Sequence, residues 1–250
     1  MVERERKQRL ESTVAVIQAR WGTRAIRTAR DLPPRAVTPS GIVTLDALLP
    51  GGGFPRGQLS EIAGCGTAGH LPIAARALAE AQRGQGQRQG QQALVVDAES
   101  AVDLETLARC GVRLDKLALL RARGLRQALQ MASDLLRAGF TGALLFDRLR
   151  DLYALADGAA LQALEQALRD WGPLLARSET TLLWLTELSS PGLYPEGLPL
   201  AYAASVRLVC ERERWLTEGQ RVIGYVSRVT LLKSRGGAQA QSVALRFTLR

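Results

Sequence analysis

Histidine occurs once in these 250 residues, as His70, and lysine three times, as Lys7, Lys116 and Lys233. Cysteine is as scarce: Cys65, Cys110 and Cys210 are odd in number, far apart and without a CxxC pair. So few soft ligands exclude a disulfide framework and a zinc site. No metal is expected, and the three thiols read as reduced and inert in a cytoplasmic protein. Aromatic residues make up 5% of the chain, which leaves little for stacking on nucleic-acid bases. Apolar runs all fall short of the roughly 18–20 residues of a membrane span. The opening "MVERERKQRLES" carries charges where a secretory leader is apolar. No membrane partner is expected.

What is abundant is arginine, which carries most of a net charge of +9. Residues 1–30 hold eight basic against three acidic side chains, and residues 205–250 nine against three. The two ends therefore carry +5 and +6, and the stretch between them −2. This points to a polyanionic partner, with nucleic acid the candidate; arginine enrichment from GC-rich coding and for solubility accounts for the same counts. The apolar fraction of 46% and charged fraction of 23% are those of a globular chain. The length suits one sizeable α/β domain with a small appendage.

Along the chain, Leu10, Val14, Ile17 and Trp21 recur at helical spacing over residues 8–21, and Gly22 follows as a C-cap glycine would. "DLPPRAVTPSG" cannot continue a helix and reads as a linker, so residues 1–40 form an arm and linker and 41–250 a core. In the core, strands are expected at 58–63, 93–100, 116–122, 142–147 and 180–188, and helices at 71–83, 103–112, 124–139 and 158–176. "RGQGQRQGQQ" reads as a polar surface loop. Strands near 203–210, 221–232 and 242–249 close the chain. This alternation indicates an α/β sheet, mostly parallel, finishing on antiparallel strands.

Chemistry concentrates where strands end. "GCGTAGHLP" (64–72) sets Gly64, Gly66 and Gly69 between a strand and a helix, the place of a phosphate-cradling loop. Such a loop continues with lysine and a hydroxyl; here His70 and Leu71 follow. "VVDAE" puts Asp97 and Glu99 at the end of one strand, and "LLFD" puts Asp147 at the end of another. In a nucleoside triphosphatase such acids orient water and hold Mg²⁺.

These segments resemble the RecA recombinase family over nearly the whole chain. "SGIVTLDALLPGGGFPRGQLSEIAG" looks like the family's approach to its ATP loop, and "VVDAESAVD" like the segment bearing the water-activating Glu99. "GALLFD" is similar to the Mg²⁺-associated strand. "AASVRL" and "SRVTLLKSRGG" resemble the closing strands, and "VIQARWGTRAIR" the arm by which one subunit docks on the next. The resemblance implies a RecA-like phosphate-loop core with an N-terminal helical oligomerisation arm.

The departures are His70 and Leu71 in the loop, Glu187 in place of a nucleotide-sensing glutamine, and shortened DNA loops near 149–158 and 189–199. No separate C-terminal domain is expected after Arg250. In this combination the chain is most similar to the ImuA group, accessory proteins of SOS mutagenesis and translesion synthesis.

The resemblance implies a vestigial nucleotide site at Gly64, Gly66, Gly69, His70, Leu71 and Asp103, with Glu99 and Asp147 no longer catalytic. A neutral imidazole lacks the charge and reach of lysine, and leucine cannot ligate Mg²⁺. No cofactor is expected, and weak ATP·Mg²⁺ binding is the alternative. Any DNA binding is assigned to Arg207, Arg212, Arg214 and Arg228. A subunit or partner interface is assigned to Leu10, Val14, Ile17, Trp21, Ile26, Lys233 and Arg235. The expected partners are RecA or a second copy through the arm, and ImuB-type polymerase subunits, on the nucleoid. The competing readings are a DNA-dependent ATPase and a DNA-binding recombination mediator.

Overall fold

The structure is a computed structural model that describes residues 2–23, 25–26, 36–84, 91–98, 102–149, 158–190, 199–235 and 240–249. Glu99, the linker residues 27–35 and the loop residues 85–90, 150–157 and 191–198 lie outside the described residues. The chain forms two units, Met1–Arg35 and Ala36–Arg250.

The first unit is built on α1 (Val2–Trp21). This helix starts well before the first apolar residue of its stripe, because Glu3 and Glu5 sit in its first turn, where the helix dipole favours acids. The second unit starts earlier than the linker composition suggests. β1 (Val37–Thr38) pairs antiparallel with β2 (Phe54–Pro55) ahead of the glycine-rich approach, and α2 (Val43–Asp46) lies between them.

The core sheet has eight strands. They are β3 (Gln58–Gly64), β4 (Gln92–Asp97), β5 (Leu117–Arg121), β6 (Gly142–Leu149), β7 (Thr181–Glu187), β8 (Val206–Glu218), β9 (Arg221–Ser234) and β10 (Gln241–Thr248). Their order is β10-β9-β8-β3-β7-β6-β4-β5. Every pairing from β8 to β5 is parallel, and β8–β9 and β9–β10 are antiparallel. The α/β class with a mostly parallel sheet closing on antiparallel strands is thus the one the sequence indicates. Strands β4, β6 and β7 are continuous apolar runs because helices cover both of their faces.

On one face α3 (His70–Arg83) and α4 (Leu104–Arg109) pack over Ile62, Val95, Leu145, Leu183 and Leu208. Alanines at 74, 75, 77 and 79 let α3 lie close to the sheet. On the other face α5 (Leu125–Arg137) and α6 (Gly158–Ser178) enclose Leu94, Phe146, Leu182 and Trp184. A stacked Phe146–Trp184 pair, 4.5 Å between centroids, forms the middle of that layer. Two features depart from the sequence reading. A short helix, α7 (Pro199–Ala203), precedes β8. β8 itself runs on to Glu218, because its outer half pairs with β9 through a hairpin that turns at Gly219–Gln220.

Candidate functional site

Strand order gathers the C-terminal ends of β3, β4, β6 and β7 beside the N-terminus of α3, the usual location of a site in an open α/β sheet. The loop 64–69 leaves β3 here. A side chain at 64 would bring its Cβ within 2.5 Å of His70 Nδ1, so the close turn of loop onto helix requires glycine. Gly69 is left-handed (φ +94°), and the Phe247 ring would lie 2.6 Å from a Cβ there. Phe247 of β10 thereby covers the start of α3, an arrangement no local pattern announces.

Glu187, the last residue of β7, occupies the loop. Its Oε1 accepts the Gly66 N–H at 2.6 Å, and its Oε2 lies 3.2 Å from His70 Nε2. That second approach is off the hydrogen-bonding direction, so it is an electrostatic contact rather than a hydrogen bond. His70 is 2% exposed. The Leu188 N–H donates to Gly64 O at 2.8 Å, a second tie between β7 and the loop. Leu71 is 7% exposed and belongs to the apolar layer under α3.

Asp97 and Asp147 face each other across the β4–β6 pairing, both buried. Alternation along the strands puts them on the α3 side with Val95 and Leu145. Asp103 caps α4: its Oδ1 accepts the Thr106 N–H at 2.9 Å and its Oδ2 the Thr106 hydroxyl at 2.7 Å. A cleft of about 470 Å³ runs from the loop past Arg76 and Asp103 to Tyr225 and Phe247. Cys110 also lines it, and burial pushes its thiol up from the ordinary range.

The basic residues singled out in the sequence are spread over the sheet. Arg207 Nε donates to Glu61 Oε2 at 2.8 Å within the β3–β8 pairing, and Glu61 also accepts the Thr186 hydroxyl at 2.7 Å. Sequence reasoning missed this pair; the available signal was a lone acid inside the apolar strand "QLSEIA". Arg228 pairs with Glu213. Arg212 lies over the Trp215 ring, 4.1 Å from its centroid, and donates to the Thr67 carbonyl at 3.2 Å, bracing the loop from β8. Arg214 is exposed.

Lys233 Nζ donates to the carbonyls of Ala201 and Tyr202 at 2.8 and 3.0 Å, capping α7. Its pKa is lowered, first by burial and then by the charges of Arg235 and Arg207. Arg235 is exposed, and its backbone N–H donates to Ser205 O. On the arm, Leu10 and Trp21 are 65% and 68% exposed, while Val14, Ile17 and Ile26 are half-buried. Among the described residues no group of His, Cys, Asp or Glu is placed to hold a metal ion, and no helix is long and apolar enough to cross a membrane.

A glycine loop feeding a helix, buried acids on neighbouring strand ends and a parallel sheet closed by antiparallel strands define the phosphate-loop class of α/β cores. Within that class, the chain matches the RecA N-terminal domain family over residues 8–248, and it belongs to that family. It is 30% identical over 251 residues to the RecA protein of Oceanobacillus iheyensis, covering 92% of this chain and 71% of that protein. Identity to the RecA proteins of Corynebacterium urealyticum and Acidothermus cellulolyticus is 31%, over 93% and 92% of this chain and 67% and 71% of theirs.

Proposed function

We propose that this RecA-family chain is a non-catalytic accessory protein of the DNA-damage response, of the ImuA type. It works through RecA and mutagenic polymerase subunits of the ImuB type, on the nucleoid. The observation that carries the reading is the loop. Triphosphate and Mg²⁺ need a cation reaching the phosphates and a hydroxyl on the metal. This loop offers a buried imidazole, a leucine packed in the core, and a carboxylate already on the Gly66 amide. These residues do not fit ATP·Mg²⁺.

The arm supplies the contact. Its apolar stripe includes an exposed Leu10 and Trp21, and most of a helix's stability in a protein comes from packing such a face against a surface. Its partner is RecA or a second copy. Three of the four arginines assigned to DNA are engaged within the chain, which favours the adaptor over the DNA-binding mediator.

Two measurements test the reading. ATP turnover with single-stranded DNA is expected below about one per minute, since losing preorganised charge costs about 10²–10³ in rate for each group removed. Faster turnover that is abolished by Glu99→Gln overturns the non-catalytic reading. Deleting residues 1–30, or Trp21→Ala, is expected to weaken RecA or self-association by about 30-fold or more, the size of a hot-spot loss. Unchanged association by a folded truncation overturns the adaptor mechanism.

A further inference from the structure

We propose that Glu187 is the loop's own anion, a built-in latch that fastens the end of β7 to the glycine loop without any nucleotide. A loop between a strand and a helix N-terminus presents backbone N–H groups and a positive dipole end, and both favour an acceptor of negative charge. Here that acceptor comes from the chain itself. The carboxylate takes the Gly66 N–H on one oxygen at 2.6 Å and stands 3.2 Å from the buried His70 imidazole with the other. The β3–β7 register sets Gly64 opposite Glu187, so the carboxylate is delivered from the neighbouring strand. Leu188 N–H to Gly64 O, 2.8 Å, completes the fastening.

His70 and Glu187 fit each other as a pair. The imidazole lies folded against Gly64, where a Cβ would come within 2.5 Å of Nδ1, and so stays inside the loop. The acid then reaches it from across the sheet. Two consequences follow. The loop and the chain leaving β7 keep one mutual position whatever the nucleotide concentration. An incoming polyphosphate must displace a carboxylate of its own sign from the same amide. The latch is independent of which partner the protein takes, so it stands or falls apart from the adaptor reading.

The test uses the full chain as wild type, Glu187→Gln and Glu187→Ala, with inorganic pyrophosphate as probe. Thermal unfolding of the wild type is expected to move by less than about 1 °C at about 10 mM pyrophosphate, because the site is already satisfied. Glu187→Ala is expected to melt several degrees lower and to regain part of that loss with pyrophosphate. Hydrogen exchange at the Gly66 amide gives a reading that does not depend on the alanine variant. Exchange is expected to quicken about tenfold in Glu187→Gln, where a neutral oxygen replaces a charged one. The latch is overturned if pyrophosphate stabilises the wild type as much as Glu187→Ala, if Glu187→Ala melts like the wild type, or if Gly66 exchanges equally fast in wild type and Glu187→Gln.

Discussion

Replacing Arg207 by methionine separates a structural arginine from a DNA-binding one. Glu61 is 1% exposed, and its carboxylate is held by the Arg207 Nε–H at 2.8 Å and the Thr186 hydroxyl at 2.7 Å. Methionine keeps an unbranched stem of similar length and removes the charge, which leaves a buried carboxylate without its guanidinium. Breaking one side of a buried ion pair costs about 3–5 kcal/mol. In a domain of this size each kcal/mol lowers Tm by about 2–4 °C, so the expected drop is about 6–20 °C. The double variant Glu61→Leu/Arg207→Met removes both charges and is expected to recover most of the loss, since an apolar pair of similar volume replaces an ion pair at little cost. Circular dichroism melts of the wild type, both singles and the double close the cycle. Binding of a fluorescent single-stranded oligonucleotide at two salt concentrations is read in parallel. The reasoning is refuted if Arg207→Met melts within about 2 °C of wild type while oligonucleotide affinity falls and its salt slope flattens, the signature of a lost phosphate contact.

The Trp171 indole donates to Ser133 Oγ at 2.8 Å inside the aromatic layer, so Ser133→Ala is expected to cost about 1–3 kcal/mol, read as a lower urea midpoint at unchanged slope. Burial, followed by the neighbouring thiols of Cys210 and Cys110, pushes the Tyr225 phenol up to about 12. Because the folded value lies above the ordinary 10, the stability Tyr225 contributes is complete below pH 10 and is lost between pH 10 and 12. Phenolate absorbance of the native protein should then contain a late-ionising component near pH 12 that Tyr225→Phe removes; identical titration curves for wild type and Tyr225→Phe refute this. Burial also raises the Cys210 thiol, so alkylation of the native protein should spare Cys210 and reach it only on unfolding.

The elements were legible because their signals are local. "ALVV", "GALLF" and "TTLLWL" are apolar runs of strand length, and the amphipathic period of residues 125–137 is helical. The extension of β8 was not legible, since "ERERWLTE" alternates charges without an apolar face and becomes a strand only by pairing with β9. The loop could be located from Gly64, Gly66 and Gly69, and the loss of lysine and hydroxyl was plain at His70 and Leu71. The use of Arg207 and Lys233 was not, because both are ordinary surface residues until a neighbouring strand or helix end supplies their partners, Glu61 and the α7 carbonyls.

By itself, then, the order of residues determined the class of fold, the family, where the glycine loop lies and which loop residues it has exchanged. Hydrophobic period, turn chemistry and short motifs act within a few residues of one another, so they are written in the chain. Only the tertiary structure decided what the Gly66 amide binds. Gly66 and Glu187 lie 121 residues apart, and it is the β3–β7 register that turns a glutamate at a strand end into the loop's acceptor.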